Sequence, residues 1–182
     1  MNKKSKNRYI AQTAIIAALY AALTYAQGLL LPGSTTAAVQ FRVSEALNVF
    51  ALFSPAAIPG LTIGCIIANL YSIGQGLPLD MIFGSVATLG ATTCIWFLRN
   101  AKVFGYPLPA MLMPALWNGL IVGWEIEFFF VDGPFKSLGF LFNGGCVALG
   151  ELVVMLVLGS ILYYAFEKRG LKHKLFGLDP TQ

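Results

Sequence analysis

Apolar runs long enough to cross a lipid bilayer recur along this chain, with only short turns between them. A helix rising 1.5 Å per residue needs about 20 apolar residues to span the hydrocarbon layer. Sized against that requirement, the sequence predicts helices at about 9–30, 43–53, 56–73, 79–98, 109–131 and 137–166. Leu31-Pro32-Gly33-Ser34-Thr35-Thr36 ends the first, Ser54-Pro55-Ala56-Ala57-Ile58-Pro59-Gly60 turns the short second into the third, and Gly74-Gln75-Gly76-Leu77-Pro78 closes the third. Pro55 and Pro59 leave two readings open, a pair of helices or one kinked re-entrant element. Of 182 residues, 57% are hydrophobic and 11% charged, with a mean hydropathy of +0.73. A water-soluble domain of this size could not carry that composition without a large exposed apolar surface. The expectation is an all-α polytopic membrane protein, a six-transmembrane-helix bundle forming a single domain over residues 1–182. The first run is too long for a signal-peptide core and is expected to be a mature helix.

The cations set the orientation. Lys3, Lys4, Lys6 and Arg8 precede the first run, Arg99 and Lys102 separate the fourth from the fifth, and Lys168, Arg169, Lys172 and Lys174 follow the sixth. Six crossings put all three clusters on one side, which the positive-inside rule makes the cytoplasm, so both termini are expected there. An odd number of crossings would split them. The formal charge of +4 thus reads as membrane anchoring, and no nucleic-acid partner is expected. Cys65, Cys94 and Cys146 stand alone in apolar stretches, and the single histidine, His173, lies in the basic tail. No metal site, cofactor or Ser-His-Asp arrangement is expected.

A carboxylate at the bilayer centre costs about 2.5 to 3.5 kcal/mol on insertion scales, so ionisable residues inside such runs point to function. On the topology above, Arg42 and Glu45 start the second helix, Asn69 lies near the outer end of the third and Asp80 opens the fourth. Glu125 and Glu127 lie toward the outer end of the fifth, Asn143 in the outer turns of the sixth, and Glu151 near its middle. Nearly all fall in the extracellular half, which argues for a cup open to the outside and sealed below. Acids outnumber Arg42, so the cup should favour a ligand offering N–H donors or a cation. Trp117, Trp124 and Phe128 could supply a stacking face, or the last two could be interfacial-belt aromatics. Glu125 and Glu127, two apart, point to different helix faces, while Arg42 and Glu45, three apart, can pair. On the first helix Ala11, Ala14, Ala17, Ala18, Ala21, Ala22 and Gly28 give a small-residue face suited either to packing within the bundle or to docking a second membrane subunit.

The chain carries no G-x-x-x-x-G-K-[ST] loop, so ATP hydrolysis would have to come from a partner. A proton-coupled secondary carrier is the alternative, and an intramembrane enzyme a more distant one. The first usually has polar groups on both sides of the midplane, and the second needs a nucleophile–base or metal constellation. Neither pattern is evident.

Several runs together resemble the QueT family: Val39-Gln40-Phe41-Arg42-Val43-Ser44-Glu45-Ala46-Leu47; Ala57-Ile58-Pro59-Gly60-Leu61 leading to Gly64-Cys65 and Ala68-Asn69-Leu70; Asp80-Met81-Ile82-Phe83-Gly84-Ser85; Trp117-Asn118-Gly119-Leu120-Ile121-Val122-Gly123; and Ala148-Leu149-Gly150-Glu151. The resemblance implies a substrate-binding S-component of an energy-coupling factor (ECF) transporter in a bacterial plasma membrane, taking up queuosine or a 7-deazaguanine precursor. It implies six helices with both ends inside, substrate bound near the extracellular face, and docking of the first helix onto a transmembrane coupling protein driven by two ATPase subunits. Ala14 and Ala18, or the adjacent register of Ala17 and Ala21, would make that docking contact. Depth, polarity and the family motifs together give the expected substrate-binding set as Gln40, Arg42, Glu45, Asn69, Asp80, Trp117, Asn118, Glu125, Asn143 and Glu151. Within it, Glu151 is the first choice to accept N–H donors from a deazaguanine ring, with Asp80 or Glu45 meeting an aminomethyl cation.

Overall fold

In the computed structural model, residues 3–32, 34, 39–74 and 79–168 are described, and among them the regular structure is helical. The turn at Gln75-Gly76-Leu77-Pro78, most of the turn after the first helix, and the tail with Arg169, Lys172, His173 and Lys174 lie outside the described residues. Helix α1 covers Lys3–Leu30, and a 3₁₀ segment covers Val43–Leu52. Then come α2 (Ala57–Gly74), α3 (Asp80–Leu98), α4 (Leu108–Met111), and α5 (Met113–Glu125) running into a π turn at Ile126–Phe130. Helix α6 (Ser137–Val154), a π turn at Met155–Gly159 and α7 (Ser160–Lys168) follow as one continuous rod. By length and composition three helical stretches can cross a membrane, Ser5–Leu30, Asp80–Leu98 and Ser137–Lys168, while Val43–Leu52 and Ala57–Leu70 are shorter apolar helices.

Neighbours in sequence are neighbours in space: α1 packs on α2, α2 on α3, α3 on α5, and α5 on α6. The 3₁₀ segment fills the inside of that arc, touching α1, α2, α3, α6, α7 and the second π turn. Every residue from Ser44 to Leu52 is buried. An element apolar on all sides must sit among others, and this one is divided: Ser44, Glu45 and Asn48 at its start are polar, and everything from Val49 to Phe53 is apolar. Runs of 3₁₀ helix beyond three or four residues are uncommon and tend to mark hinges or strain. The pattern expected of residues 43–53 was α-helical, and a helix buried on every side is held by its neighbours rather than by its own hydrogen-bond geometry.

Small residues set the spacing of α1 and α2. A Cβ at Gly64 would stand 2.8 Å from Tyr20 Cβ and 2.9 Å from the Ala17 carbonyl oxygen, and one at Gly60 would stand 3.0 Å from Ile16 Cβ. Ala17 and Ala21 are therefore covered by α2, whereas Ala14, Ala18, Ala22 and Ala26 remain exposed along the opposite side of α1.

The two ends of the molecule differ in chemistry. At one end, Phe53 stacks on Tyr163 and Phe166 with ring centroids 6.1 and 5.8 Å apart, Phe50 meets Phe166 at 5.1 Å, and the Tyr106 ring stands edge-on to Tyr163. Tyr106 and Ser160 hydroxyls share a 2.5 Å hydrogen bond there. These rings, with Leu52, Met111 and Met155, make an apolar plug. The start of α1, the α3–α4 turn with Arg99 and Lys102, and the end of α7 all lie at this end, and Arg99 rests 3.9 Å over the Trp96 ring. The polar residues gather toward the other end.

Candidate functional site

The chain reaches the site through an extended strap at residues 39–42, which three helices hold. From α1, the Gln27 amide donates to the Phe41 carbonyl oxygen and to Ser34 Oγ (2.9 Å), and its own oxygen accepts from the Val43 N–H at 2.8 Å. From α6, Gly150 gives the strap its seat, because a Cβ there would collide with the Gln40 carbonyl group. From α3, Asp80 forms an ion pair with Arg42. Gln40 is buried on this strap. Gln27 was not among the expected site residues, although a glutamine inside an apolar run is the kind of signal that could have found it.

Arg42 is the hub. Its guanidinium pairs with Asp80 and donates from Nη1 to Asn69 Oδ1 at 3.2 Å. Asn69 in turn donates to the Asp80 carbonyl oxygen at 2.8 Å, closing a triangle of α2, α3 and the strap. A charge removed from water is tolerated only when paired and hydrogen-bonded, and this triangle supplies both. Glu45, one turn further on, accepts from the Tyr20 hydroxyl and from Asn48 Nδ2 at 2.5 Å. Its partner is thus Tyr20 rather than Arg42, and Tyr20 is a site residue that sequence reasoning missed because a tyrosine within an apolar helix gives no separate signal. Thr24 and Ser44 complete this wall with a 2.7 Å hydroxyl contact.

Two more acids reach the same region. Glu125, at the end of α5, is 1% exposed and lies in electrostatic range of Asp80 and Arg42. Glu151, on α6, is 3% exposed and lies in range of Glu45 and Arg42. Both carboxylate oxygens of Glu125, Oε2 of Glu151 and Nε of Arg42 are buried without a hydrogen-bond partner. Buried polar atoms are satisfied in the great majority of cases, so orphans gathered around one arginine mark a place where a polar ligand would supply what is missing.

Other expected site residues are engaged elsewhere. Glu127 faces away from Glu125: it accepts from the Lys136 N–H at 3.1 Å and from Asn143 Nδ2 at 3.0 Å, clasping the α5–α6 connection. Asn118 is buried, but its amide donates to Pro114 one turn back on its own helix at 3.0 Å. Trp117 lies against Gly90 of α3, where a Cβ would stand 2.5 Å from the ring. Trp124 stacks on Phe128 at 4.9 Å with Phe83 and Phe129 beside it, and both Trp124 and Phe128 are exposed on the outer surface. An apolar groove of about 420 Å³ between α5 and α6, lined by Leu116, Gly119, Phe140, Gly145, Ala148 and Leu152, also opens outward and offers no polar partner. Among the described residues, no group of His, Cys, Asp and Glu could hold a metal ion.

No solved structure matches the chain. A curated relative, the queuosine precursor transporter QueT of Lactococcus lactis subsp. cremoris (strain MG1363), is 32% identical over 178 residues, covering 92% of this chain and 96% of the relative. The family described as QueT transporter matches residues 10–168. That span includes every element carrying the Arg42 constellation, and both the family and the relative are transporters, not enzymes. The chain belongs to the QueT transporter family.

Proposed function

We propose that this membrane protein is the substrate-binding subunit of an ECF-type ABC transporter, capturing queuosine or a 7-deazaguanine precursor at the extracellular face of a bacterial plasma membrane for ATP-driven uptake. The observation that carries the reading is the gathering of unpartnered buried acceptors around Arg42 at one end of a bundle whose other end is plugged by apolar rings. A site closed from below and polar above suits capture from one side. A channel would need a polar path through the plug.

In this reading six helical passes cross the bilayer, with the cationic plugged end and both termini in the cytoplasm. The positive-inside rule supports that orientation through Lys3, Lys6, Arg8, Arg99, Lys102 and Lys168, which stand at the plugged end. Substrate contacts come from Gln40, Arg42, Glu45, Asn69, Asp80, Glu125 and Glu151. Trp117, Asn118 and Asn143 support the walls. A transmembrane coupling protein and two ATPase subunits provide the energy. The exposed register of Ala14 and Ala18 faces that partner, while Ala17 and Ala21 serve the internal contact with α2.

Uptake of a labelled 7-deazaguanine base by cells expressing the chain, with and without the coupling protein and ATPases, tests this directly. The expected result is accumulation only when all components are present. Accumulation that survives deletion of every ATPase would overturn the assignment in favour of a proton-coupled carrier.

A further inference from the structure

We infer that the ligand is a cation held at two ends, with Glu125 receiving the donor edge of a flat base and the Glu45–Glu151 end receiving an amine arm. This rests on the transporter reading above and narrows its solute to the amine-bearing members of the 7-deazaguanine group, as against those carrying a nitrile.

The two ends differ in what they lack. Glu125 has both carboxylate oxygens buried and unpartnered, which is the acceptor geometry that two parallel N–H groups match. Beside it, Arg42 has given Nη1 and Nη2 to Asn69 and Asp80, while its Nε remains without a partner and can donate to a carbonyl oxygen on the same base. A guanine-like edge offers this pattern, two donors adjacent to one acceptor. An adenine-like edge does not.

At the other end the deficit is charge. Glu45 is held only by the neutral donors Tyr20 and Asn48, and Glu151, with Oε2 unpartnered, lies in range of Glu45 and Arg42. The one cation in reach, Arg42, is already committed to Asp80. Among the described residues of the site, four buried acids (Asp80, Glu45, Glu125 and Glu151) thus stand against one buried arginine. Uncompensated buried charge is costly, and a ligand ammonium group supplies the compensation that no side chain here does. A nitrile has no proton to donate and would bring a further acceptor up to Glu45 and Glu151, which penalises the wrong solute.

The test is a ligand series on the purified, folded chain: the aminomethyl-bearing 7-deazaguanine, its hydroxymethyl analogue of equal size without the charge, and the nitrile. The aminomethyl base should bind at least about tenfold more tightly than either neutral base, the margin of a charge-assisted hydrogen bond. Glu151→Gln should erase that margin while leaving the neutral bases within about twofold of their original affinity, and Glu125→Gln should weaken all three. Because the ligand series on the unaltered chain does not depend on any variant folding, equal binding of nitrile and amine there overturns the inference alone, as does a margin that survives Glu151→Gln. If none of the three bases binds the folded chain, the solute reading itself fails and takes this inference with it.

Discussion

Arg42 and Asp80 illustrate how a residue that is expensive to bury becomes the fixed point of a site. Each is almost fully enclosed, and each would be an uncompensated charge if the other were removed. Truncating Asp80 alone, as in Asp80→Ala, should therefore destabilise the protein by about 3 to 5 kcal/mol. The double change of Arg42→Met with Asp80→Leu should recover most of that loss, since a buried pair replaced by apolar groups of similar volume is often neutral. Thermal unfolding in detergent measures the first effect, and ligand titration of the double variant should find a folded protein that no longer binds. This separation of stability from recognition is what a pair retained for function predicts. The same cost made Arg42, Glu45, Asn69, Asp80, Glu125 and Glu151 visible in the sequence before any fold was known, because apolar runs seldom contain such groups. Which acid partners which group was not visible: Glu45 could have paired with Arg42 three positions away, but it accepts from Tyr20, 25 residues earlier. Spacing along one helix gives local pairs, whereas packing between α1 and the 3₁₀ segment selects the actual one.

At the level of elements, the strap and the 3₁₀ segment carry the most information. The apolar runs indicated helices because their lengths and breakers are written locally, and the structure is helical throughout its described regular elements. The 3₁₀ geometry of Val43–Leu52 and the π turns at Ile126–Phe130 and Met155–Gly159 were not legible, since neither changes composition or run length. Their effect is nonetheless specific. The first π turn follows Glu125 directly and carries Glu127, so that two acids two residues apart are both buried, one toward Arg42 and the other against Asn143. The strap depends on a contact that only glycine allows. Gly150→Val should push the Gln40 backbone off α6, moving Arg42 out of register with Asp80 and Asn69. The expected outcome is a loss of ligand affinity of about tenfold or more, the margin of one charge-assisted hydrogen bond, with the helical content unchanged by circular dichroism. Unaltered affinity in a folded Gly150→Val protein would mean that the strap does not position Arg42.

For the whole molecule, the polarity of its two ends and the two sides of α1 divide the work. Ala17 and Ala21 are covered by α2, and Ala14 and Ala18 are exposed on the other side. The sequence gave no means of choosing between these registers, because both repeat at four residues, and only the placement of Gly60 and Gly64 separates them. Ala17→Leu should therefore destabilise the isolated protein, since overpacking a tight contact costs about 1 to 3 kcal/mol. Ala18→Leu should leave both stability and ligand binding unchanged and abolish uptake in cells that contain the complete transporter. Comparison of detergent melting curves with uptake rates for the two variants checks this division.

The account stands on the claim that the Arg42 constellation captures a solute by itself, ahead of any energy supply. Calorimetric titration of the purified, detergent-solubilised chain with 7-deazaguanine bases and queuosine, in the absence of ATP and with guanine and an unrelated vitamin as controls, tests it most directly. Saturable one-to-one binding of a 7-deazaguanine compound, lost in the Arg42→Met with Asp80→Leu protein, is the predicted result. A well-folded chain that binds none of them, or that binds the unrelated vitamin equally well, would contradict it.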